Sequence, residues 1–242
     1  SDEWNRGNYL VQGLGHCNAC HTPRNVWGAS QDDKLSGSKI VGTYWYAPSL
    51  ISPLEAGVGE WSIEDIVELL STGINGHAVT SGPMATIVRQ SLQYLSDEDM
   101  RSIAVYLQSL GEKQDHAQAP RKARKMPEQV RQYLALGEAV YEKHCQDCHG
   151  KSGEGTPKIY PPLAGNRNVT MNPPLNTIRS VLYGGYPPAT AGNPRPYGMP
   201  PYQHFIRDIE IAQVVSYIRN AWGNVGSLVS PEDVDNSRGN EF

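Results

Sequence analysis

The four cysteines of this 242-residue chain fall into two matching arrangements, Cys17-Asn18-Ala19-Cys20-His21 and Cys145-Gln146-Asp147-Cys148-His149. Two thiols three positions apart, followed at once by an imidazole, suit covalent haem attachment. The thiols add to the two haem vinyl groups, one short turn reaching both, and the adjacent histidine lies beneath the ring and ligates the iron. Other chemistries fit less well. A zinc site draws four ligands from closely spaced pairs, whereas these two sets begin 128 residues apart. A thioredoxin-like pair does not account for a histidine in both copies, and structural disulfides would not place both pairs at this spacing. The residues predict two covalent haem c groups on Cys17, Cys20, Cys145 and Cys148, with His21 and His149 as iron ligands.

The sixth iron position separates a relay from a reaction centre, and a methionine there raises the potential. Met84 in Ser81-Gly82-Pro83-Met84-Ala85 and Met199 in Tyr197-Gly198-Met199-Pro200-Pro201 lie in Gly/Pro-rich stretches read as loops. Such loops can bring backbone and thioether close to a flat ring. Met84 and Met199 are the expected ligands. Met100 follows the helix-start pattern Ser96-Asp97-Glu98-Asp99 and belongs inside that helix, Met126 sits in a linker, and Met171 is the rival to Met199. His77 and His204 are the alternatives under bis-histidine ligation.

Two copies of one plan position these residues. Gly137 and Tyr141 precede Cys145 by eight and four residues, and Arg6-Gly7-Asn8-Tyr9-Leu10-Val11 plays the same part before Cys17 with shifted spacing. A Pro-containing loop follows each motif, at Ala47-Pro48-Ser49-Leu50 and Tyr160-Pro161-Pro162-Leu163. Amphipathic segments come next, Ile63 through Leu70 to Gly73 and Leu175 through Leu182 to Gly185. Ile66 and Leu70 share one helical face, as do Ile178 and Leu182. Each copy closes with an acid-led helix, Asp97 to Leu110 and Asp208 to Trp222.

This order of helix, haem motif, Pro loop, helix, Met loop, helix resembles the class I cytochrome c fold over about residues 3–111 and 130–223. The resemblance implies an all-α protein of two tandem haem domains. Their expected bounds are 1–112 and 131–224, with a basic Pro-containing linker over 113–130 and a C-terminal extension over 225–242. It also implies that Gly7 faces Tyr106, that Gly137 faces Tyr217, and that the Pro48 and Pro161 carbonyls accept the other ring N–H of His21 and His149. Pro161 lies 12 residues after His149, the family's usual interval. Pro48 lies 27 after His21, so the first copy carries an insertion over roughly Thr22 to Ile40.

Further residues are similar to the cytochrome subunits of membrane-associated dehydrogenases acting on alcohols, aldehydes or gluconate. They are Arg6 through Cys17, His21-Thr22-Pro23-Arg24-Asn25, Gly82-Pro83-Met84-Ala85, Gln93-Tyr94-Leu95-Ser96-Asp97 and Tyr217 through Asn224. Those subunits usually carry three haem domains, and the likeness is to the second and third. A natural two-haem relative and a chain lacking its first domain both stay open. The likeness implies electrons arriving from a periplasmic dehydrogenase and leaving to quinone, another cytochrome or an oxidase, at the periplasm or the outer face of the cytoplasmic membrane. A freely diffusing di-haem shuttle shares every site residue with this reading. A di-haem peroxidase would need one site without methionine and an acid–base residue over the iron. No nucleophile–base arrangement or phosphate loop stands out, so no catalytic residue is assigned.

Composition agrees with prosthetic groups filling the interior. Hydrophobic residues make up 38%, with 2 Phe, 24 Gly and 18 Pro, which would build thin cores in two small domains. The net charge of −4 is too mild to argue for nucleic acid or an anionic membrane. Residues 1–112 carry net −7, 113–131 net +4 and 132–242 net −1. Arg121-Lys122-Ala123-Arg124-Lys125 reads as a solvated connector, or alternatively as a docking patch for an acidic partner. No apolar run approaches a bilayer span. Ser1-Asp2-Glu3-Trp4 has neither a basic nor an apolar leader region, so any export signal is expected to lie outside this sequence.

Overall fold

The computed structural model describes residues 1–31, 34–112 and 126–239. The basic stretch 121–125 and His116 lie outside the described residues.

The chain is mostly helical. Helix α1 (Asp2–Asn8) starts where the Ser1 hydroxyl accepts the Trp4 N–H, and runs into a π-helical turn over Tyr9–Leu14. The turn α2 (Asn18–His21) carries the first cysteine motif. Two short antiparallel strands follow, β1 (Ser38–Lys39) and β2 (Tyr46–Ala47). Helix α3 (Ile63–Thr72) is capped by Ser62 and stopped by Gly73 in the left-handed region at φ 83°. Then come α4 (Gly82–Gln90) and α5 (Asp97–Leu110), the latter capped by Ser96. The second half runs α6 (Glu128–His144), α7 (Gln146–His149) with the second motif, α8 (Arg167–Thr170), α9 (Leu175–Tyr183), α10 (Asp208–Ile218) and α11 (Pro231–Asn236).

In each half the first and last long helices cross at a glycine. A Cβ on Gly7 would stand 2.0 Å from the Ser102 carbonyl oxygen and 2.7 Å from Tyr106 Cβ. One on Gly137 would stand 2.1 Å from the Gln213 carbonyl oxygen and 2.9 Å from Tyr217 Cβ. Both expected Gly–Tyr pairings are present. The shifted spacing also has a cause: Gly7 precedes Cys17 by ten residues and Gly137 precedes Cys145 by eight. The wider π-helical turn, with His16 at φ 50°, absorbs the difference.

Two clusters of buried side chains result. One gathers Leu10, Val11, Leu35, Ile66, Ile103, Ala104 and Leu107. The other gathers Tyr141, Ile178, Leu182, Ile211, Val214 and Val215, together with Val229 and Val234 from the stretch after residue 224. Side chains also join the halves. Thr190 donates to the Thr72 carbonyl at 3.1 Å, Lys158 pairs with Glu68, and the buried Arg179 guanidinium stands 5.1 Å from the Trp45 ring centroid.

The expected helix to Trp222 ends at Ile218 instead. Trp222 at φ 53° and Gly223 at φ 87° turn the chain back, and Asn224 Nδ2 donates to the Ile218 carbonyl at 2.7 Å and to the Leu163 carbonyl at 2.9 Å. A side-chain amide thus takes over a helix-terminal acceptor.

Candidate haem-binding sites

Both cysteine motifs form a single helical turn. The His21 N–H donates to the Cys17 carbonyl at 3.0 Å and the His149 N–H to the Cys145 carbonyl at 3.0 Å. That turn brings the two thiols and the imidazole of each motif to one short stretch of surface. The turn at Cys145 is anchored by Tyr141, fully buried, whose hydroxyl donates to the Gly150 carbonyl at 2.7 Å.

The imidazoles are oriented by carbonyls. His21 Nδ1 lies 2.7 Å from the Pro48 carbonyl oxygen, and His149 Nδ1 lies 3.2 Å from that of Pro161. A carbonyl only accepts, so Nδ1 carries the proton and, in the neutral ring, the lone pair is on Nε2. Burial lowers both histidine pKa values below 6.5, against a smaller upward pull from the proline carbonyls. Neutral rings with Nε2 as the donor atom result, which is what an iron requires. Burial pushes the Cys17 thiol up to about 11 and Cys145 up to about 12. Both thiols are uncharged at neutral pH. Among the described residues, no group of three or more His, Cys, Asp or Glu could hold a metal ion by itself.

The long first-half interval is taken up at two places. The Gly37 N–H donates to the His21 carbonyl at 2.7 Å, and the Gly155 N–H to the His149 carbonyl at 2.8 Å. Both glycines have positive φ and press against the proline loop. A Cβ on Gly37 would lie 3.2 Å from Pro48 C, and one on Gly155 2.8 Å from Pro161 C. His21 to Gly37 spans 16 positions against 6 from His149 to Gly155, and Gly37 to Pro48 spans 11 against 6. The expected single insertion over Thr22 to Ile40 is therefore divided, one part before Gly37 and one between Gly37 and Pro48. The first part hands the buried Leu35 to the core, and the second forms β1 and β2.

Met84, read as a loop residue, is the third residue of α4. Pro83 fits a first helical turn, where a missing N–H costs nothing, and the residues that follow sustain the helix. Gly82, at φ 53°, lies against Trp45, where a Cβ would be 2.7 Å from the ring. Met199 does lie in a loop, tied to Gly185 by reciprocal backbone bonds of 3.0 and 2.8 Å. Both methionines are half-buried. Met171 is buried with its carbonyl accepting Arg219 Nη1 at 2.9 Å, and Met100 is buried within α5. His77 is exposed beside Asp65 at 3.6 Å and against the Trp61 ring at 4.8 Å, and His204 is exposed.

Some supporting residues left no local signal. Arg219 is fully buried and donates to the carbonyls of Val169, Met171 and Ser227, to Asn172 Oδ1 and to the Ser227 hydroxyl. Its acceptors come from segments up to 50 positions away. Tyr202 donates to the His144 carbonyl at 2.7 Å, beside Cys145.

Residues 134–222 match the cytochrome c family model. The chain is 36% identical to the alcohol dehydrogenase (quinone) cytochrome c subunit of Gluconobacter oxydans (strain 621H), over 96% of this chain and 51% of that protein. It is 37% identical to the gluconate 2-dehydrogenase cytochrome c subunit of Pantoea cypripedii, over 98% and 56%. It is 34% identical to the fructose dehydrogenase cytochrome subunit of Gluconobacter japonicus, over 98% and 52%. The chain spans about half the length of the curated relatives it matches. It contains a cytochrome c domain and is related along nearly its whole length to the cytochrome c subunits of dehydrogenases.

Proposed function

We propose that this cytochrome c-type chain holds two covalent haems and relays electrons from a periplasmic dehydrogenase to quinone, another cytochrome or an oxidase. The observation that carries the reading is the paired geometry: two Cys-x-x-Cys-His turns, each with its imidazole Nδ1 on a proline carbonyl. Cys17 and Cys20 hold one haem and Cys145 and Cys148 the other. His21 and Met84 would hold the iron of the first, and His149 and Met199 that of the second, in tandem domains over 1–112 and 131–224.

Each haem, when bound, supplies a one-electron iron couple. The chain's own residues tune and protect it. The proline carbonyls fix ring orientation and raise ligand basicity. Thioether ligation favours the reduced state, and a buried pocket disfavours extra charge. Two protein ligands on each iron would leave no position open to a reactant, and the chemistry on the organic substrate belongs to the partner. The names of the relatives support a dehydrogenase as the donor.

A spectroelectrochemical titration tests this. Two one-electron steps, both low-spin and both with the methionine–iron charge-transfer band, are expected. Addition of a purified partner dehydrogenase and its substrate should reduce both haems. A high-spin site open to peroxide would overturn the relay reading in favour of a peroxidase.

A further inference from the structure

The carbonyl that orients His21 is braced from the other half of the molecule. Asn176, buried on α9, exchanges two hydrogen bonds with the backbone of Tyr46. The Tyr46 N–H donates to Asn176 Oδ1 at 3.0 Å, and Asn176 Nδ2 donates to the Tyr46 carbonyl at 2.7 Å. A side-chain amide here does what a neighbouring strand would do for β2, two residues before Pro48. Beyond Pro48, Glu55 Oε2 accepts the Ser49 N–H at 2.7 Å and the Tyr46 hydroxyl at 3.0 Å. The loop that carries Glu55 is held in turn by Arg167 of α8. Its Nη1 donates to the Pro53 carbonyl at 3.1 Å and to the Gly57 carbonyl at 2.5 Å, and its guanidinium stands 5.3 Å from the Trp61 ring centroid.

In the equivalent segment of the second half the backbone is held from within its own half, and the cross-half contact there is the side-chain ion pair of Lys158 with Glu68. Thr156 and Tyr160 exchange backbone bonds of 2.8 Å just before Pro161, and Gly153 accepts the Leu163 N–H at 2.7 Å just after it. The two proline carbonyls therefore differ in who positions them. The one braced across the halves makes the shorter bond, 2.7 against 3.2 Å.

We infer that Asn176 and Arg167 are positioning residues for the Pro48 carbonyl, and through it set the basicity of His21 and the reduction potential of the first haem. This rests on the reading above, in which His21 ligates that iron. A strong Nδ1–H to carbonyl bond makes the imidazole a better electron donor and favours ferric iron; loosening it favours ferrous iron. The step affected is the uptake of one electron by the ferric haem from an external reductant, with no bond broken.

The test is a redox titration of the two-haem protein and of its Asn176→Ala and Arg167→Ala variants, with haem content measured on each. The first haem is identified as the step that a Met84→Ala change moves. In either brace variant, the one-electron equilibrium at the first haem should shift three- to tenfold toward ferrous. That is an upward move of about 30–60 mV at 59 mV per tenfold, with the second step unmoved. The His21 Nδ1 proton resonance should shift with it. If a variant fails to accumulate, Arg167→Lys tests the same brace, since an ammonium cannot reproduce the fork. It should move the first step in the same direction by less. Two haems present with the first potential and the His21 resonance unchanged would overturn the inference while leaving the relay standing. Absence of haem at Cys17 and Cys20 in the unmodified protein would overturn the relay reading itself.

Discussion

Gly7 stands so close to Ser102 that a Cβ on it would lie 2.0 Å from the Ser102 carbonyl oxygen. Gly137 repeats the relationship with Gln213 at 2.1 Å. In both places the obstruction is helix backbone, which cannot swing aside as a side-chain tip can. Gly7→Ala and Gly137→Ala should each destabilise the protein by at least about 1–3 kcal/mol through overpacking. The two effects should add closely, because the sites lie in separate clusters. Urea unfolding midpoints check this, and unchanged midpoints would mean the helices do not cross at the glycines.

Met84→Ala and Met199→Ala should each leave haem covalently attached, turn one site high-spin and lower its potential. Visible spectra and potentiometry read both effects. If Met199→Ala left the spectrum untouched, Met171 or His204 would be the ligand to examine. If Met84→Ala did, His77 would be.

Arg219 is fully buried, and burial lowers its pKa to about 10, so it stays charged at neutral pH. Its hydrogen bonds tie α10 to the segment around Val169 and Asn172 and to Ser227. Arg219→Ala would orphan several buried acceptors and should cost about 3–5 kcal/mol. Arg219→Lys should recover little, because a single ammonium cannot reach acceptors on several sides. Calorimetry of both variants decides.

What could be read from the residues alone was whatever repeats at fixed local spacing. The cysteine motifs, the Gly7–Tyr106 and Gly137–Tyr217 crossings and the bounds of α5 are of this kind, because each depends on helical periodicity or on a family pattern. Met84 was misread as a loop residue because glycine and proline mark both loops and first helical turns, and composition does not separate the two. The end of α10 was misplaced because its terminal acceptor is capped by Asn224, a contact made only once the chain has turned back. Asn176 and Arg167 gave no signal at all. Their partners Tyr46 and Gly57 lie 130 and 110 positions away and are chosen by how the halves pack.

The count of covalent haems tests the central claim most directly. Intact mass and pyridine haemochrome absorbance of the purified protein should give two haems per chain. Cys17→Ala with Cys20→Ala, or Cys145→Ala with Cys148→Ala, should each remove one and leave the other low-spin. A single haem in the unmodified chain, or loss of both from either double variant, would contradict two independent sites on one chain.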